Sequence, residues 1–353
     1  MKRMKLNLLY LLPALAVLSC SEDAIPPNTE EQLLETKELS ANVEMAYPED
    51  FGILSDVYFA GEKITVEEID GDYIYEGDIV FSNDMITYED VKLVFEKGEE
   101  IPAQKSVGRT SARWPDNTVY YSIDSNLPDQ NRVVDAIKHW VANTSLKFVQ
   151  RTSQSNYIYF TPGSGCSSYI GMTGGRQNLT LSSGCSTGNT IHEIGHAIGL
   201  WHEQSRVDRD NHIKINYTNI QSGREHNFQT YEEYGYDGAE FTSNLDFGSI
   251  MLYSSYSFSS NGQPTIVKLD GSTYSTQRNA LSSGDITGVN TMYPSGNNGG
   301  TEPVAPTYIN GEYYVIYGLT VLRHNDGWWY YSRQYSMWRE VELKSNNRWY
   351  YAR

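Results

Sequence analysis

Hydrophobic and polar positions change their rhythm along the chain. Leu6 to Leu18 is a predominantly apolar run behind Lys2, Arg3 and Lys5. It is too short to span a bilayer comfortably and has the flanks of a signal peptide, assigned to residues 1–19. Residues 39–105 alternate short apolar stretches with acids, which predicts partial order. Further on, two periods mix. Val133, Val134, Ile137, Trp140 and Val141 make one face of a helix predicted over 129–141. Tyr157-Ile158-Tyr159-Phe160 alternates as a strand does. Ser295-Gly296-Asn297-Asn298-Gly299-Gly300 is a linker by composition. Beyond it Trp329-Tyr330-Tyr331-Ser332-Arg333 recurs as Trp349-Tyr350-Tyr351-Ala352-Arg353, and Tyr313-Tyr314-Val315-Ile316-Tyr317 echoes it. Asn310-Gly311, Asn325-Asp326-Gly327 and Asn346-Asn347 punctuate these runs as hairpin turns do. Residues 301–353 therefore read as a small aromatic-rich β-repeat module. Its aromatics either stack on carbohydrate or another surface or fill the core of a very small domain.

Charge sharpens this division. The formal net charge is −17. Residues 20–105 carry 5 Lys/Arg against 23 Asp/Glu, whereas residues 106–353 carry 19 against 21. The acidity therefore belongs to the N-terminal region, whose residues 21–38 read as a solvating linker. No basic patch, phosphate-cradling glycine loop or sustained heptad is present, so no nucleic-acid partner is expected.

The chemistry concentrates at His192-Glu193-Ile194-Gly195-His196-Ala197-Ile198-Gly199-Leu200-Trp201-His202. On a helix, His192 and His196 are four residues apart and share a face. Gly199 tolerates the left-handed turn that ends many helices, so the chain can return and offer His202 as a third nitrogen. Three protein ligands leave a fourth position for water, as a catalytic zinc requires. Glu193 is placed to take a proton from that water. A blander reading is local: Thr190-x-x-Glu193 has the pattern of a helix capping box. The full HExxHxxGxxH pattern, however, uses three of seven histidines and puts a glycine where a turn is needed. His139, His212, His226 and His324 receive no role.

His202 is followed by Glu203-Gln204-Ser205-Arg206-Val207-Asp208-Arg209-Asp210. The combined HExxHxxGxxHExxRxDRD resembles the signature of the astacin family of metzincin zinc endopeptidases. Ser249-Ile250-Met251-Leu252-Tyr253 resembles that family's Met-turn, with Leu252 where a histidine is usual. The resemblance spans about residues 113–293. It implies an α+β, two-subdomain metzincin-type catalytic domain over 106–294, with a mixed sheet and a zinc helix. It implies one zinc ion on His192, His196 and His202, Glu193 as general base, Met251 beneath the metal, and Tyr253 as a switchable ligand. Gly165-Cys166-Ser167-Ser168-Tyr169-Ile170-Gly171 resembles the family's edge strand, beside which substrate lies extended, and residues 281–290 its closing helix. It also implies a Cys166–Cys185 disulfide; a second zinc site on that pair would lack two ligands. No cysteines match the family's second disulfide, so packing must join the two halves.

Tyr75-Glu76-Gly77-Asp78-Ile79 resembles the FxGD motif by which astacin propeptides silence their enzymes. By that resemblance residues 20–105 are a propeptide and Asp78 takes the open zinc position in the latent form; alone, a Gly-Asp pair is usually a turn. Activation then requires a protease that cuts within Ile101 to Gly108, with Lys105 a candidate site. Glu203 is the implied partner of the new amino terminus; otherwise it makes a surface salt bridge. Val17-Leu18-Ser19-Cys20 resembles a bacterial lipobox, which makes Cys20 a lipidation site. An ordinary signal peptide with an incidental cysteine and a zinc-binding latency thiol are the alternatives. The expected localisation is exported: lipid-anchored at the cell surface or outer membrane, or secreted. The expected partners are protein or peptide substrates. The rival reading is a zinc-bearing adhesin acting through residues 301–353; intact Glu193 argues against it.

Overall fold

A computed structural model of the chain describes residues 45–59, 62–83, 85–88, 94–96, 113–206, 208–230, 244–294, 310–311, 313–316, 319–332, 335–343 and 349–352. The signal peptide, Cys20, the 21–38 linker, the stretch Ile101 to Gly108 with Lys105, the 295–300 linker and the Asn346-Asn347 turn lie outside the described residues.

The N-terminal region contributes β1 (Ile53–Phe59), β2 (Glu62–Ile69), β3 (Asp72–Tyr75), β4 (Ile79–Phe81), β5 (Ile86–Thr87) and β6 (Val94–Phe95). The central region follows with β7 (Thr118–Ile123), α1 (Asn131–Asn143), β8 (Lys147–Gln150), β9 (Tyr157–Thr161), β10 (Cys166–Tyr169), β11 (Arg176–Leu181) and α2 (Thr187–Ala197). Then come β12 (Ile213–Ile215), β13 (Ile266–Lys268) and α3 (Ser283–Met292). The last region is β14 (Tyr313–Ile316), β15 (Leu319–His324), β16 (Gly327–Ser332), β17 (Met337–Leu343) and β18 (Trp349–Tyr351).

One ten-stranded mixed sheet runs in the order β5-β1-β2-β3-β4-β10-β11-β9-β7-β8 and so crosses from the N-terminal to the central region. The crossing lies at β4 and β10, which pair in parallel (Ser168↔Ile79, Tyr169↔Val80). The expected edge strand is thus an edge of the central region alone, and here β4 covers it. The aromatic repeats do form a β-module: β14 to β18 lie in sequential order in a second sheet, and β6 pairs with β18.

The central core packs α1 and α2 on the sheet. Trp140 of α1 is buried and its indole N–H donates to the Ile191 carbonyl of α2 at 3.1 Å. Arg132, from the same helix, donates to the Ser182 carbonyl at 2.6 Å and also to that of Cys185. Cys185 is disulfide-bonded to Cys166, 19 residues earlier. Two helix expectations need correction. Helix α1 starts at Asn131, because Asp129 takes a left-handed φ of 49°. Its buried face is Val133, Ala136, Ile137 and Trp140, while Val134 and Val141 are exposed; a rotation of about 100° per residue carries each past the edge of the stripe. The capping box of α2 is Ser186 with Asn189, not Thr190 with Glu193. Thr190 lies inside the helix and its hydroxyl donates back to the Ser186 carbonyl at 2.9 Å.

Among the described residues no helix is long and apolar enough to cross a membrane.

Candidate active site

Helix α2 is buried from Gly188 to Ala197, and His192 and His196 project from it one turn apart. Gly199, at φ 108°, follows the helix and turns the chain back. His202 then joins the other two: the imidazole centroids lie 4.7 Å (His192–His196), 5.3 Å (His192–His202) and 4.7 Å (His196–His202) apart. All three rings are buried.

Asp78 enters between them from the loop joining β3 to β4. Its Oδ2 lies 3.2 Å from His192 Nε2 and 3.3 Å from His202 Nε2, and its Oδ1 lies 3.5 Å from His196 Nε2. The four ligand atoms are all within 4.8 Å of one another.

The outward nitrogens decide what the cluster can hold. His192 Nδ1 faces the Ile250 carbonyl at 2.8 Å, His196 Nδ1 the Leu200 carbonyl at 2.8 Å, and His202 Nδ1 the Glu76 carboxylate at 2.7 Å. Each acceptor calls for a proton on Nδ1, which leaves Nε2 as the lone-pair nitrogen of a neutral ring. Three lone pairs and a carboxylate then converge, with His192 and His196 Nε2 only 3.1 Å apart. Such a set is favourable only around a positive charge, and three imidazoles with one carboxylate suit zinc. Titration keeps two of these rings neutral and draws a proton, itself a positive charge, to the third. Burial holds His192 down to about 3 and lowers His196, so both stay neutral. Burial also disfavours charge on His202 and Asp78, but their attraction prevails. His202 is raised to about 9, and Asp78 is held well below the usual carboxylate range.

The floor of the site is built from three elements. Met251 is buried against α2: a Cβ on Gly195 would lie 2.6 Å from Met251 Sδ. Asp285, in the first turn of α3, fixes the turn containing Met251 by accepting from the Ser249 hydroxyl at 2.7 Å and the Ile250 N–H at 3.0 Å. Leu252 is buried in the cluster of Ile213, Ile220, Phe228 and Ile266. Tyr253 packs on His202, ring centroids 4.6 Å apart, and its hydroxyl donates to the Glu76 carbonyl. Glu193 is buried on α2 beside His192. Glu203 accepts from the Asp246 N–H at 2.8 Å and pairs with Arg206 at 3.6 Å, and burial pushes its carboxyl up to about 7.

A scan against protein families matches residues 106–294 to the one described as Astacin, a peptidase family. The chain belongs to the astacin family. Blastula protease 10 of Paracentrotus lividus is 40% identical over 232 residues, covering 60% of this chain and 38% of that protein. Flavastacin of Elizabethkingia meningoseptica is 40% identical over 193 residues, covering 51% of this chain and 42% of its own. The chain therefore spans less than half of either relative. Among solved structures, high choriolytic enzyme 1, a hatching-enzyme zinc protease of medaka, is 31% identical with a TM-score of 0.47, over 51% of this chain and 92% of its own. Membership of this family and the cluster of three histidines with one aspartate make zinc the metal of this site.

Several site residues carry no signal in one dimension. Glu76 stands inside the Asp78 motif, yet only the fold brings its two oxygens to His202 Nδ1 and to the Ser205 hydroxyl, the latter at 2.5 Å. Glu76 and Gly77 both take left-handed φ angles, 46° and 80°. A Cβ on Gly77 would lie 2.8 Å from Phe258 Cζ, so glycine is required there. Tyr75 stacks on Phe81 at 5.6 Å and meets Trp201 edge-on at 6.2 Å, which seats the loop. Glu67 of β2 pairs with buried Arg224 across the same boundary.

Proposed function

We propose that the chain is the precursor of an exported zinc endopeptidase that hydrolyses peptide bonds in proteins and is kept latent by Asp78. The observation that carries this reading is the Asp78 carboxylate among three inward-facing imidazole nitrogens. His192, His196 and His202 are the metal ligands, with Asp78 the fourth in the precursor. When bound, zinc supplies Lewis acidity, making a water acidic near a pKa of about 7 and polarising the scissile carbonyl. Glu193 accepts the proton of that water and returns it to the leaving amine nitrogen. Tyr253, released from the Glu76 carbonyl when the 76–78 loop departs, turns its hydroxyl toward the reacting carbonyl oxygen. Met251 supports the ligands from below. Glu203, half-buried beside the site, is the partner of the amino terminus created within 101–108.

Casein hydrolysis tests the assignment. Processed wild type should cleave, and Glu193→Ala should lose at least about 100-fold in rate, the share typical of a general base. Equal activity of the two would sink the enzyme reading. Unprocessed Asp78→Ala should cleave casein where unprocessed wild type does not; an inert variant that still binds zinc would remove Asp78 from the latency role.

A further inference from the structure

Val94 and Phe95 lie in the sheet of the C-terminal module. Val94 pairs with Trp349 and Phe95 with Tyr350, both in parallel, so β6 continues the sheet past β18. The Val94 side chain is buried with Val321, Val341, Trp349 and Tyr351, and no other described residue of that cluster comes from outside the module. Glu96 follows and accepts from Arg339 at 3.0 Å and from the Tyr335 hydroxyl at 3.2 Å. The Arg339 guanidinium lies over the Tyr351 ring at 3.7 Å and the Tyr335 ring at 4.8 Å. Aromatic faces thus hold the cation before Glu96 arrives. The arrangement is a strand-capture site: ladder bonds for the backbone, a pocket for one apolar side chain, and a preset cation for the acid behind it.

We propose that the C-terminal module is a binding module whose occupant is the chain's own Val94–Glu96, and that it keeps the N-terminal region attached after the chain is cut. The anchors on either side of the cut stretch support this. Residues 101–108 fall between two fixed points. On one side Glu96 is held by Arg339. On the other, the Trp114 indole N–H donates to the Ala197 carbonyl at the end of α2, at 2.8 Å. Hydrolysis between them breaks one peptide bond and neither attachment. The N-terminal fragment then remains on two sites at once, the metal cluster and the β18 edge, and each raises the effective concentration at the other. The cut alone therefore does not free the fragment, which leaves only when both attachments let go. The aromatic repeats are, on this account, spent on gripping a strand. Trp349 and Tyr351 form its floor, while Tyr331 and Trp338 remain exposed on the module surface.

This inference uses the propeptide reading only for where the cut falls, and its test does not depend on proteolytic activity. Full-length zinc-loaded precursor is nicked with trypsin, and the release of the N-terminal fragment is followed by native size exclusion and mass spectrometry. Wild-type fragment should co-elute with the remainder of the chain. Val94→Asp should speed its release at least about 30-fold, because a charge enters a closed apolar cluster. Glu96→Arg changes a partly exposed contact and leaves the module folded; it should speed release about fivefold. Adding Arg339→Glu to Glu96→Arg should restore retention. Release from nicked wild type as fast as from Val94→Asp overturns the proposal, and so does a charge swap that fails to rescue Glu96→Arg. The same release measured on Asp78→Ala separates the readings: retention with no casein cleavage keeps the capture site and discards the aspartate switch, whereas cleavage with no retention does the reverse.

Discussion

Two kinds of support converge on the metal cluster. His192 and His196 are oriented by backbone carbonyls of Ile250 and Leu200, which the central region supplies itself. His202 is oriented by the side chain of Glu76, 126 residues away in the N-terminal region. The first kind survives any rearrangement that leaves α2 and the Met251 turn packed. The second is on loan. On the proposed latency, a binding site with one borrowed support is complete while the N-terminal region is in place and differently tuned once that region departs. The same contrast recurs around the site: Asp285 bolts the Met251 turn from within, whereas Glu67 and the 76–78 loop reach in from elsewhere.

The comparison is broken most severely at Glu67. Its carboxylate pairs with Arg224 and also accepts from the Gly52 N–H at 2.7 Å. Both Glu67 and Arg224 are buried. Glu67→Ala leaves the guanidinium uncompensated and should destabilise the precursor by about 3–5 kcal/mol in urea unfolding. No loss in the precursor would show that the two regions stand independently.

Next comes pH. His226, two residues past Arg224, is held down to about 4, first by burial and then by the Arg224 charge. The unfolded chain binds its proton from about pH 6.5 downward, while the folded chain resists until about 4. Its penalty is therefore absent above pH 6.5, grows as pH falls, and levels off below about 4. The precursor should lose about 3 kcal/mol across that window, and His226→Gln should flatten this part of the curve. A wild-type curve as flat as the variant's would refute the assignment.

The smallest effect is the most discriminating. Glu76→Gln keeps the shape of the loop but weakens its hold on His202 Nδ1. It should speed zinc loss from the precursor to a chelator about tenfold. Processed enzyme made from the same variant should retain zinc as wild type does. If both forms change equally, His202 is not oriented by a borrowed group.

Much of this site is legible in the chain because its ligands are neighbours. His192, His196 and His202 lie within eleven residues, and one helix followed by Gly199 is enough to gather them. Met251, Tyr253 and Asp78 are legible only through the astacin resemblance, since nothing in their own surroundings points to a metal. The contacts that depend on distant pairing leave no local trace. Glu67 with Arg224, Glu76 with His202, and Val94 with Trp349 are each more than a hundred residues apart. Val134 and Val141 mislead for a related reason: a helical stripe has soft margins, and the packing of α1 decides which side of them a residue takes. The α2 cap was hidden because asparagine, not glutamate, answers Ser186.

The line where β4 meets β10 has a mechanical meaning. Only two residue pairs join those strands, against five between β9 and β11 and seven between β1 and β2. Edge strand β5 is likewise joined to β1 by two pairs, but between the two regions the ten-stranded sheet is perforated along this one row, like paper scored for tearing. A pull that parts the molecule runs along that row and leaves β10, β11, β9, β7 and β8 whole. A piece parted there would carry Asp78 with it, so on the proposed latency the direction of easiest tearing is also the direction that uncovers the three histidines.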